Sequence, residues 1–155
     1  MPIYNAPLRD QRFVLFELLD SENELKSLPP FAEVDADTIN AVLEEGARFA
    51  SQVVHPLNVV GDKEGCKRNA DGSVTTPSGF KEAFKLYRES GWGTLSSPTE
   101  FGGQGMPHVL GFVVEEFVAT ANHAFGMYPG LTHGAISAIL AKASPELQQK
   151  YLPKM

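Results

Sequence analysis

The sequence is poor in the residues that build special chemistry. Its 155 residues include one cysteine, Cys66, which excludes an internal disulfide and any cysteine-rich zinc site. No apolar run approaches the roughly 18 residues that a membrane span requires, so no transmembrane segment is expected. Lys and Arg number 13 against 19 Asp and Glu, a net charge of −6, and the cations are not gathered into a basic stretch. A sequence-independent grip on nucleic-acid phosphates needs many clustered cations, so nucleic acid is not an expected partner. The opening Met1-Pro2-Ile3-Tyr4-Asn5 has neither the basic nor the apolar region of a secretory signal. With the lone thiol, this leads to the expectation of a cytoplasmic protein.

Alternating apolar and polar runs of strand length are also missing, and no internal repeat is found. What is there repeats at helical spacing between recognisable start and stop residues. Asp10 can cap a short helix carrying Phe13, Phe16 and Leu19, and Ser21 to Pro30, polar and closed by Pro29-Pro30, reads as a linker. The longest helix starts from Asp35 or Asp37, with Ile39, Val42, Leu43, Gly46, Phe49, Ala50, Val53, Val54, Leu57 and Val60 on one stripe. Pro56 should kink it about a turn earlier and leave a bent continuation. Gly61 to Ser78 reads as a surface excursion around the tight turn Asn69-Ala70-Asp71-Gly72.

Thr76-Pro77 then opens a helix that turns Phe80, Ala83, Phe84 and Tyr87 inward and ends near Gly91. A long loop to Met106 holds the only tryptophan, Trp92. From Pro107 a helix presents Leu110, Val113, Val114, Phe117, Val118 and Ala121 on one face. Another is expected from near Thr132, burying Ala135, Ile136, Ile139 and Leu140, and Ser144-Pro145 caps a short last one. The expected fold is all-α, an irregular, partly orthogonal bundle of about five to six helices. Residues 1–35 read as an N-terminal extension with a short helix and a linker, and 36–155 as the main helical domain.

Few motifs point to chemistry. Gly102-Gly103-Gln104-Gly105 precedes a helix, where free N–H groups favour anions. A dinucleotide fingerprint would need a glycine where His108 stands, and the glycines equally suit a structural loop that needs close backbone approach. His55, His108, His123 and His133 form no metal signature, because the positions three after Glu44, Glu45, Glu115 and Glu116 are Ala47, Arg48, Val118 and Ala119. Cys66, beside Lys67 and Arg68, reads as an ordinary surface thiol. Glu115 and Glu116 point about 100° apart on a helix and do not share a site. One of them is better suited to partnering a buried polar group. Phe125, Met127 and Tyr128 with Pro129-Gly130 could wall an acyl-sized pocket; taken alone, core packing explains them better.

Read in order, several stretches converge. Thr76-Pro77-x-Gly79-Phe80, Gly91-Trp92-Gly93, Pro98-Thr99-Glu100-Phe101-Gly102-Gly103-Gln104-Gly105, Glu115-Glu116-Phe117 and Lys150-Tyr151-Leu152-Pro153-Lys154-Met155 resemble the amino-terminal domain of acyl-CoA dehydrogenases. The opening Pro2-Ile3-Tyr4-x-Ala6-Pro7-Leu8-Arg9-Asp10 is similar to that of the larger bacterial branch.

The resemblance implies a helical domain followed by a β-domain and a second helical domain, with flavin adenine dinucleotide (FAD) between the latter two. It also implies an acyl-CoA substrate, oxidised to its 2,3-enoyl form when a glutamate outside the first domain takes the α-proton and the β-hydride goes to the flavin. An electron-acceptor protein is then a partner. The expectation is a fragment that stops before the β-domain, with no catalytic, flavin-binding or metal position of its own. What it would contribute is one wall of the acyl pocket: Phe125, Tyr128, Pro129, Leu131, Thr132 and His133. Such a fragment should be inactive and should self-associate through faces left apolar. A free-standing helical interaction or lipid-binding module is the alternative.

Overall fold

The computed structural model describes residues 3–155; Met1 and Pro2, which head the opening motif, lie outside the described residues. The fold is mostly helical, as expected, with one two-residue ladder pairing β1 (Lys67–Arg68) and β2 (Val74–Thr75). That ladder closes the excursion around Asn69 and Asp71, where Asn69 N–H donates to Ser73 O and Ser73 N–H to the Asp71 carboxylate.

The centre is the packing of α3 (Ala36–Phe49) on α6 (His108–Ala121). Asp35 caps α3 by accepting from Thr38 N–H, which also holds the Asp35 carboxyl below its ordinary pKa. Gly46 lets the two helices approach closely, since a Cβ there would stand 3.1 Å from Val114 Cγ2. Ile39, Leu43 and Ala50 meet Leu110, Val114 and Phe117 in the sealed core. The apolar stripe read from Pro107 onward is buried at every position named for it.

The helix continues past Pro56, as the sequence pattern predicts. Ala50–Val54 widens into a π-helical turn, His55 N–H reaches back to Ala50 O, and α4 (Pro56–Glu64) continues the rod. Proline has no N–H to donate and its ring crowds the carbonyl four residues back, so a wider turn relieves the clash without ending the helix. The rod therefore runs through Gly61, where the sequence suggested that the surface excursion had begun.

Other boundaries differ. The first helix, α1 (Leu8–Arg12), starts at Leu8 with Pro7 as its cap, ahead of Asp10, and runs into a π-helical stretch, Phe13–Leu18. The segment read as a linker folds: α2 (Ser21–Lys26) is followed by a single turn at Pro29–Phe31. Its short polar sequence is stabilised by what it docks on, because Leu25 is buried and Lys26 pairs with Glu22 one turn back. The helix after Thr76-Pro77 is α5 (Phe80–Glu89), preceded by Gly79 at φ 82 and not by proline at its first position. Phe80, Ala83, Phe84 and Tyr87 do turn to the core.

α7 spans His123–Lys142 and begins well ahead of Thr132, where the sequence pattern predicts its start. Asn122 is the only residue between α6 and α7, at φ −160. Its side chain accepts from Phe125 N–H at 3.2 Å and donates to Val54 O at 3.4 Å. Pro129 sits inside the helix, buried beneath it. A capped start and apolar burial of Phe125 and Pro129 outweigh the proline's helix-breaking tendency. Finally α8 (Pro145–Tyr151), capped by Ser144, folds back on α7.

Asn122→Ala should remove both the cap and a buried bond. A loss of about 1–3 kcal/mol is expected, read as a lower urea midpoint with an unchanged slope.

Candidate functional site

α7 is unusual in composition. From His123 through Ala141 it contains no Asp, Glu, Lys or Arg, although many of its positions face outward. A helix that is apolar around its whole circumference is normally covered on all sides. Here one side rests on α5 and α6, and the other presents Met127, Tyr128 and Leu131, exposed by 64, 69 and 84%. Exposed Ala124, Ala135 and Ala138 extend that face.

The six residues singled out from the sequence all lie on this one helix, but they point three ways. Phe125 and Pro129 turn inward; Phe125, 3% exposed, meets the rings of Phe80 and Tyr87 with centroids 6.2 and 6.0 Å away. Tyr128, Leu131 and Thr132 face outward. The Tyr128 ring is braced edge-on against Phe84 at 4.8 Å. His133 sits at the seam with α6, its Nε2 buried without a hydrogen bond and 3.6 Å from Glu115 Oε1. Glu115, considered above as a partner for a buried polar group, is thus the carboxylate facing this histidine. None of the six lines the small hollow where Ile136 and Leu140 of α7 meet Leu152 and Met155. An open groove of about 440 Å³ lies elsewhere, between Phe49, Val53, Leu86 and Trp92, with Arg48 and Gln52 beside it.

Under α7, Tyr87 is buried and its hydroxyl pKa is pushed up to about 12, first by burial and then by the charge of Glu115. It is a structural ring, packed also against Phe49 and Phe84.

The glycine loop has a geometry that decides between its two readings. Gly102 N–H donates to Thr99 O, Gly103 N–H to Pro98 O, Gln104 N–H to Thr94 O, Gly105 N–H to Ser97 O and Met106 N–H to Leu95 O. From Gly102 to Met106 each backbone N–H is thus committed within the loop. A Cβ on Gly103 would collide with Ser97 O, so glycine there serves close backbone approach. The glycine stretch itself therefore offers no free N–H to an anion. Among the described residues no group of three His, Cys, Asp or Glu could hold a metal ion, and no helix is long and apolar enough to cross a membrane.

The sequence alone does not put Met127 on the outer face, because a helix expected only from near Thr132 gives residues 123–131 no helical phase. Two signals were available: Asn122 as a cap three residues before Phe125, and the charge-free run from His123 to Ala141.

An all-α domain with one uncharged face turned outward is thus the class of object that the geometry defines. Comparison with known proteins gives the family. The profile described as "Acyl-CoA dehydrogenase, N-terminal domain" matches residues 37–155, and the chain belongs to this family. It is 38% identical to a 3-methylmercaptopropionyl-CoA dehydrogenase of Ruegeria pomeroyi, over 98% of this chain and 26% of that protein. A butyryl-CoA dehydrogenase of Syntrophomonas wolfei is 33% identical over 98% of this chain and 25% of its own length. For a broad-specificity linear acyl-CoA dehydrogenase of Mycobacterium tuberculosis the figures are 32, 97 and 24%. The chain spans about a quarter of the length of these relatives.

Alkaline titration should single out Tyr87. An unfolded tyrosine ionises near pH 10 and the folded one near 12, so its contribution to stability is whole below the first value and is lost as pH rises through the second. Tyr87→Phe should flatten the fall in unfolding free energy over that interval, as measured by urea unfolding at a series of pH values.

Proposed function

We propose that this domain forms one wall of the acyl crevice of an FAD-dependent dehydrogenase that oxidises acyl-CoA to 2,3-enoyl-CoA. The observation that carries the reading is the uncharged outer face of α7. It suits an aliphatic chain, which gains roughly 0.8 kcal/mol for each CH₂ removed from water. Membership of the family supports the same reading, as do the thioester substrates in the names of the relatives.

Within that wall, Tyr128, Leu131 and Thr132 meet the acyl chain, and His133 borders it at the α6 seam. Phe125 and Pro129 hold the wall from behind. FAD is the cofactor that the family implies, supplying the hydride acceptor. Because the glycine loop uses its own N–H groups internally, we assign the flavin phosphates and the base that takes the α-proton to polypeptide outside this domain. An electron-acceptor protein reoxidises the flavin, and the enzyme works in the cytoplasm.

A chimera tests the reading. Residues 1–155 replace the matching quarter of the Ruegeria pomeroyi relative, and dye reduction is followed with short acyl-CoA substrates. Flavin retention and turnover are expected of the chimera and of neither kind in the isolated domain. A folded, flavin-loaded chimera that turns over no acyl-CoA would favour the non-catalytic lipid-binding or interaction module.

The isolated domain should also self-associate through α7, whose apolar face has no cover of its own. Sedimentation velocity at rising concentration checks this; a strict monomer counts against it, and Leu131→Glu should shift the equilibrium toward monomer.

A further inference from the structure

Residues 3–35 precede the stretch matched by the family profile, which begins at residue 37, yet they are fastened to the most consequential corner of the fold. The Tyr4 hydroxyl donates to Phe117 O at 3.1 Å and shares a 2.7 Å hydrogen bond with Thr120 Oγ1, both in the last turns of α6. Its ring lies against that of His55, centroids 5.6 Å apart, and His55 Nδ1 approaches Ala121 O at 3.4 Å. Two residues from Thr120, Asn122 reaches Val54 O. Three separate parts of the chain, the N-terminal segment, the π-helical turn and the cap residue, thus converge where α6 hands over to α7.

This corner acts on α7 as a pivot acts on a lever. Only Asn122 separates the two helices, and Leu131 stands nine residues beyond it, about 13 Å along the axis at 1.5 Å per residue. A tilt of about ten degrees at the corner moves Leu131 by about 2 Å. Displacements of that size separate a fitted wall from a loose one. Burial of the Tyr4 hydroxyl, opposed in part by its bond to Thr120, raises its pKa, so it remains a proton donor across the neutral range.

We propose that Tyr4 is a positioning residue for the acyl wall: by tying the N-terminal segment to the end of α6, it fixes the angle at which α7 departs and so where Tyr128, Leu131 and Thr132 stand. The inference rests on the proposed function of α7 for its catalytic consequence, and on the geometry alone for the latch.

Hydrogen exchange of the 155-residue chain and its Tyr4→Phe variant tests the latch, since phenylalanine keeps the packing on His55 and removes only the hydroxyl. Amides of residues 118–128 should exchange about fivefold faster, the factor expected for one hydrogen bond of ordinary net worth, while those in the middle of α3 are unchanged. Thr120→Val should give the same local pattern. No change at the corner, or an equal change in every helix, overturns the latch.

In the chimera, Tyr4→Phe should raise KM for short acyl-CoA severalfold and leave kcat nearly unchanged, a split that a general loss of stability does not produce. An active chimera with an unaltered KM overturns the positioning role. A chimera inactive with either residue counts against the proposed function, and the exchange pattern still decides whether the latch exists.

Discussion

The structure depends on how closely α3 lies against α6. Gly46 removes the side chain that would hold the two helices apart, and Val114 and Phe117 fill the space it leaves. With α6 sealed on that side, its opposite flank is available to α7, and Gly126 lets α7 come within contact distance of the Ala119 backbone. The remaining elements fill in around this three-helix stack. α5 closes it with Phe80, Phe84 and Tyr87, and the N-terminal segment covers it with Leu8, Leu15 and Phe16. Arg12 ties that cover to α3 through Asn40 and Glu44. These bonds at the surface orient more than they stabilise, since exposed ion pairs contribute little.

How far the sequence revealed this varied with the physics of each element. α6 was legible because its period, its burial and its boundaries agree: the same six residues form the stripe and the core. The continuation through Pro56 was legible for a different reason, since a missing N–H has only a few structural outcomes. α7 was not. Pro129, Gly126 and Gly130 each argue locally against a helix, and what overrides them is tertiary: Asn122 closes the first turn and Phe125 docks among three aromatic rings. α2 was missed likewise, because its docking partner could not be read from its own polar residues.

The candidate site followed α7. From the sequence its residues fall partly in a connection and partly on a helix starting near Thr132, whereas all six lie on α7, and which of them face outward depends on helical phase. Phase is set by where the helix begins, so a start near Thr132 would leave Phe125 and Tyr128 in a connection with no common orientation. Starting at His123, the helix sends Phe125 into the core and Tyr128 to its edge, three residues apart and both against the ring of Phe84.

The wide turn at Ala50–Val54 has an effect beyond accommodating Pro56. A π turn takes one more residue than an α turn, which rotates everything after it by roughly 100° relative to a uniform helix. Ahead of it the rod shows its apolar side to α6; beyond it Leu57 touches the glycine before α5 and Gly61 admits the tip of the Phe80 ring. One continuous rod is thereby geared to two neighbours that lie in different directions. Shortening it by a single residue there would turn Leu57 and Gly61 away and leave α5 unseated.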